Sequence, residues 1–293
     1  MKAIKYLLVP LLAAPLAFLS CEKNVIEFPT ETLEQKGYDA EFQLHYVEAI
    51  DNKAVNYIDS VFVNGTLYSS VKGSGSLQPY GSLPSGRVSA FFAAKSGPVN
   101  LKLYRKGAVV YEQDFELLKG KQNVFVYALD RKPVVVQSDY PYRAGEDGRP
   151  DPTQDEYNTD SVATIRFCNF LFEADGQPYQ GKLQYQWKNR DDEKDASGEY
   201  PWKNIGGPVG FGEVSERAMV IIHKDVFNSS GYQYIDYRIV DESGKVLRLW
   251  NSRKKEVDYS DYWRAYIGRG YMHIFAGNRM ALPAASVRVW TCI

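Results

Sequence analysis

The sequence predicts an all-β chain of two tandem sandwich or barrel domains behind an export signal. Three observations predict it. Apolar residues alternate with polar ones at period two rather than 3.6. Asn-Gly, Lys-Gly and Ser-Gly turns punctuate short strands at close spacing. The order of these features in residues 39–138 returns in 161–293.

In the first stretch, Phe42, Leu44 and Tyr46 alternate with Glu41, Gln43 and His45, as in a half-buried strand. Val61-Phe62-Val63 runs into Asn64-Gly65 and returns as Thr66-Leu67-Tyr68, a hairpin whose turn residues both tolerate positive φ. Leu101 to Tyr104 turns at Lys106-Gly107 and returns as Val109-Val110-Tyr111, and Val124 to Tyr127 and Val134 to Val136 complete the set. Residues 139–160 carry three prolines and many acids and cannot supply a core, so they form a polar linker. Asp147, Asp151, Asp155, Glu156 and Asp160 lack the spacing of a calcium loop and belong to solvent.

Strands resume after the linker, with Ala163, Ile165 and Phe167 alternating with Thr164, Arg166 and Cys168, and Tyr185 and Trp187 alternating with Gln184 and Gln186. The glycine-rich run 206–212 lacks the Lys-Ser/Thr of a phosphate loop and is expected to begin a strand at positive φ. A single helical turn is expected over 260–267, with Ser260 as N-cap and Gly268 beyond its end. Gly107 of the first half matches Gly244 of the second, and Gly120 before Val124-Phe125 matches Gly270 before Ile274-Phe275, which suggests a tandem duplication.

The N-terminus is an address. Lys2 and Lys5 precede a 14-residue uncharged apolar run, 6–19, too short for the roughly 18–20 residues of a spanning helix. Phe18-Leu19-Ser20-Cys21 resembles the lipobox of bacterial lipoproteins. The resemblance implies cleavage after residue 20, lipidation of Cys21 and a short tether, 21–38. Two or more acyl chains anchor stably where one is marginal. Loss of Lys2 and Lys5 leaves 33 basic against 36 acidic residues, a net of −3. Glu22 follows the Cys, and by resemblance to Gram-negative sorting this implies the outer membrane, on its periplasmic or surface face.

Asp59 to Gly65, Tyr80 to Gly86 and Gly120 to Leu129 together resemble the domain of unknown function 4397 family, over residues 40–137. The family, found in lipoproteins of the Bacteroides group among others, implies Ig-like β-sandwiches and an envelope address. It implies no activity. The second half departs further from its pattern.

Composition narrows the function. A formal charge of −1 gives no electrostatic reason to expect nucleic acid. His45, His223 and His273 form no metal spacing, and no nucleophile elbow accompanies His223, Asp225, Ser229 and Ser230. A non-catalytic protein with no metal and no cofactor is expected. Cys168 and Cys292, both on what alternation makes outer strand faces, form a candidate disulfide across the second domain. The aromatic excess crowds that domain. Trp187 is expected in the core, whereas Tyr200 and Trp202, in a long loop, and Tyr262 and Trp263, in a short connecting segment, are candidate ligand-binding residues. The chain is thus expected to hold a glycan or an envelope protein through second-domain loops. The alternatives are a structural or adhesin subunit of a surface assembly, or an accessory lipoprotein of a nutrient-uptake complex.

Overall fold

The computed structural model describes residues 37–73, 75–84, 90–138, 162–190, 192–222 and 232–291. Residues 21–36 of the tether with Cys21, the linker 139–160, His223 and Cys292 lie outside the described residues. The first nine strands are β1 (Ala40–Tyr46), β2 (Ser60–Val63), β3 (Thr66–Ser70), β4 (Ser82–Leu83), β5 (Phe92–Ala94), β6 (Gly97–Arg105), β7 (Ala108–Leu117), β8 (Gly120–Val126) and β9 (Val134–Gln137). Ten more follow: β10 (Val162–Phe172), β11 (Leu183–Asn189), β12 (Lys203–Asn204), β13 (Ala218–Ile221), β14 (Tyr232–Asp241), β15 (Arg248–Trp250), β16 (Glu256–Asp258), β17 (Ser260–Tyr266), β18 (Gly270–Asn278) and β19 (Ser286–Thr291).

The fold class is the one expected, all-β with two tandem sandwiches. In the first, the sheet β4-β1-β8-β9, with β5 also on β1, faces the sheet β3-β2-β6-β7. Both contribute to one core: Phe42, Leu44 and Val124 meet Val61, Leu101 and Tyr111. In the second, β13-β10-β18-β19 faces β12-β11-β14-β17 around Ile165, Phe167 and Phe275 against Tyr185, Trp187 and Tyr237. The two strand orders correspond one for one. In each half the first strand runs parallel to the penultimate one, β1 to β8 and β10 to β18.

The likeness of the halves holds with one adjustment. Val124 faces the first core, whereas Ile274 faces away from the second, so Gly120 and Gly270 are one residue out of step. The second half also carries an insertion. The chain leaves β14's neighbour position at Leu247, makes the hairpin β15–β16, and returns at Tyr259, whose N–H donates to the Leu247 carbonyl at 2.9 Å.

Segment 260–267 corrects the expectation of a helical turn. It is strand β17, paired antiparallel to β14 from Tyr232↔Tyr266 to Arg238↔Ser260. Burial then alternates along it: Trp263 and Ala265 are buried, while Tyr262 and Arg264 face out.

The sandwiches pack on each other through the outer faces of the sheets that hold β1 and β10. Phe125 meets Phe170 at 4.8 Å between ring centroids, and Tyr127 meets Phe211 at 5.3 Å. Val47, Cys168, Met272 and Ile274 join this third apolar cluster. His45 stacks on Phe125 and meets Trp290 edge-on. Arg166 donates from Nη1 to the Gln137 carbonyl at 2.9 Å, and Asn278 from Nδ2 to the Ala49 carbonyl at 3.3 Å. Residues 37–293 accordingly form one compact unit, a stack of four sheets.

Candidate functional site

Stacking four sheets leaves two outer faces, and the one on the second sandwich gathers the exposed aromatics. Strand alternation builds it. On β11, Tyr185 and Trp187 point into the core, so Gln186 and Lys188 point out. On β14, Ile235, Tyr237 and Ile239 point in, so Tyr232, Tyr234, Asp236 and Arg238 point out. On β17, Tyr262, Arg264 and Tyr266 share that outer face.

The side chains interlock. Tyr266, Tyr232, Tyr234 and Tyr262 form a continuous row, with successive centroids 5.3, 5.4 and 5.4 Å apart. The Arg264 guanidinium lies 5.0 and 5.5 Å from the Tyr232 and Tyr234 rings. Contact with Tyr234 holds the Arg264 pKa above its ordinary value. Farther along, Trp202 covers Arg238 at 4.3 Å and Lys188 at 4.7 Å. Arg238 donates to Gln186 Oε1 at 2.8 Å, which fixes its plane against the indole. Asp236 lies between the two groups and accepts a bidentate pair from Arg190, both bonds 2.9 Å.

The expected site residues are divided by this arrangement. Trp202 and Tyr262 come together on the outer face, with Tyr262 58% exposed. Tyr200 is half-buried in the β11–β12 connection, with Lys194 over its ring at 5.1 Å. Trp263 is 3% exposed and packs in the core against Tyr271 and His273, so it offers no face to a ligand. Its expected exposure followed from placing it in a short connecting segment, whereas a strand turns adjacent side chains to opposite sides. Trp187 lies in the core as expected. Tyr232, Tyr234, Arg238, Arg264 and Tyr266 were missed, although Tyr232-x-Tyr234-x-Asp236-x-Arg238 carries its own period of two.

Cys168 is fully buried, on the face of β10 that the first sandwich covers. Strand β18 lies between β10 and β19, with Cys168 beside Ile274 and Thr291 beside Tyr271. A bond to Cys292 therefore requires the chain after Thr291 to cross β18.

His45 and His273 are withdrawn from solvent. His45 donates from Nε2 to Asn123 Oδ1 at 2.9 Å, and burial pushes its pKa down to about 4. His273 is bonded through Nδ1 to the Tyr185 hydroxyl at 2.9 Å, and burial pushes its pKa down to about 3. Among the described residues, no three His, Cys, Asp or Glu side chains gather as a metal site would require. A cleft of about 260 Å³ opens where the sandwiches meet, lined by Gln78, Tyr80, Pro283 and Arg288 among others. Arg288 lies over the Tyr80 ring at 5.0 Å.

No protein-family model matches the chain, and no curated protein matches it. Several solved structures overlap it weakly. The Bacillus anthracis TIE protein is 10% identical with a TM-score of 0.22, over 81% of this chain, which spans 33% of that protein. The Streptococcus agalactiae minor pilin GBS52 is 7% identical with a TM-score of 0.24, over 85% of this chain and 100% of that one. A Bacteroides ovatus protein described as a candidate cell adhesion protein is 10% identical with a TM-score of 0.23, over 87% of this chain and 98% of that one. Overlaps this slight say nothing about role.

Proposed function

We propose that this chain is a non-catalytic envelope lipoprotein, held to the outer membrane through Cys21, whose second sandwich binds a protein partner through its outer sheet face. The observation that carries the reading is the convergence of Trp202, Tyr232, Tyr234, Tyr262, Arg238 and Arg264 on one exposed face. Tyr, Trp and Arg dominate protein interface hot spots, because they bring large area and donors at modest entropic cost.

A protein suits the face better than a glycan. Sugar rings stack on flat, open aromatic faces. Here Tyr232 meets Tyr234 at 88° and Tyr234 meets Tyr262 at 70°, and Arg264 covers part of the row. The partner surface is acidic, since Lys188, Arg190, Arg238 and Arg264 outnumber Asp236 on this face.

A photo-crosslinking residue in place of Tyr262, in cells carrying the full chain, is expected to yield one discrete protein adduct. Trp202→Ala or Arg264→Glu should reduce it at least tenfold, while Cys21→Ser moves the chain out of the membrane fraction. A glycan array that retains the chain, and loses it on Trp202→Ala, together with no adduct, replaces the protein reading with a glycan one.

A further inference from the structure

The other end of the four-sheet stack carries the opposite charge. On the outer face of the first sandwich, β7 turns Glu112, Asp114 and Glu116 outward, because Tyr111 and Leu117 point into the core. These acids stand opposite Lys102, Asn100 and Pro98 of β6. Lys102 neutralises Glu112 at 2.9 Å, which leaves Asp114 and Glu116 with no base against them on this face. Beside them Phe62 and Tyr104 meet edge to face at 5.2 Å on the same surface. This sheet, β3-β2-β6-β7, occupies the same place in its sandwich as β12-β11-β14-β17 does in the other.

The two ends are thus alike in architecture and complementary in charge. We propose that the partner is a second copy of this chain: the acidic outer sheet of one copy docks on the tyrosine–arginine outer sheet of the next. The proposal rests on the reading that the second-sandwich face binds protein. Two different surfaces of one chain meet, so the contact is heterologous and leaves one face free at each end. Such contacts propagate into filaments unless the rotation closes a ring. Each sandwich already holds both of its sheets, so the contact is face to face and exchanges no strand. Four strands about 4.8 Å apart and about seven residues long give a footprint of roughly 450 Å². That is below the ~800 Å² per partner of a standard interface, so the association is weak and salt-sensitive.

Sedimentation velocity on the full-length chain in detergent tests this. At about 50 mM salt the mass should rise with concentration beyond a dimer, and at about 500 mM salt it should fall to the monomer. Reversing one face, by Glu112→Lys, Asp114→Lys and Glu116→Lys together, should abolish association, as should Lys188→Glu with Arg264→Glu. Mixing the two variants should restore it, since each then offers the complement of the other. Thermal melts check that both fold. A second measurement is disulfide capture between a Tyr262→Cys chain and an Asp114→Cys chain, expected only when the two are mixed.

A wild-type chain that stays monomeric at low salt overturns the proposal. So does association that neither reversal weakens, or capture that fails on mixing. If the chain is monomeric yet the photo-crosslink at position 262 still marks a different protein, self-association falls and the binding reading stands. If both fail, both fall.

Discussion

His45 and His273 are the residues on which pH acts most directly. Both are fully buried, and neither has an acid beside it. His45 faces Asn123, Phe125 and Trp290. His273 faces Tyr185, Tyr237 and Trp263, and its Nε2 has no hydrogen-bond partner among the described residues. With folded pKa values of about 4 and about 3 against an ordinary 6.5, the unfolded chain binds more protons as the pH falls below 6.5. Their contribution is therefore complete above pH 6.5 and is lost as the pH falls toward 4. The slope is about 1.4 kcal/mol per pH unit for each, so about 2 kcal/mol each between pH 6.5 and 5. Urea midpoints across this range should show the loss, and His45→Gln or His273→Gln should flatten it. A profile that neither substitution changes would contradict the assignment. At this scale, alternation made Trp187 legible as core, because polar neighbours flank it on both sides. Trp263 was not legible, because Tyr262 beside it offers no polar contrast.

Among the elements, β17 shows what a local pattern lacks. Ser260, Gly268 and the spacing of Tyr262, Trp263 and Tyr266 fit a capped helical turn. Only the pairing with β14, which comes from outside the segment, settles it as a strand. Tertiary context routinely overrides propensity in this way. The hairpins at Asn64-Gly65 and Lys106-Gly107 were legible because Asn and Gly tolerate the positive φ such turns need, and all four turn residues have it. Gly277 of β18 lies close against the segment that leads into β19. Gly277 has φ +123°, and a Cβ there would lie 2.7 Å from the Ala285 Cα and 2.9 Å from the Ala284 carbonyl oxygen. Both obstacles are backbone, so no rotamer relieves them. Gly277→Ala should cost about 2–4 kcal/mol. A thermal melt unchanged by that substitution would mean that the β18–β19 connection is slacker than described.

Over the whole molecule, the face of β10 that carries Cys168 and Phe170 was expected to be outer, and relative to its own core it is. It is nonetheless buried, because the first sandwich covers it. Period-two alternation tells inside from outside within one sandwich and is silent on what a neighbouring sandwich covers. The same reasoning explains why β10 is buried on both faces.

The bond from Arg166 to the Gln137 carbonyl also bears on the covalent chain itself. It holds the end of β9 against β10 at Arg166, while 24 residues, 138–161, join the two strands in sequence. A chain of that length can span up to about 80 Å, so the covalent connection by itself restrains the two sandwiches little. The halves should then behave as a split protein. Residues 37–138 and 162–293 produced as separate polypeptides are expected to reassemble and co-elute. Fragments that fail to find each other would show that the covalent connection, and not the shared apolar cluster, keeps the sandwiches together.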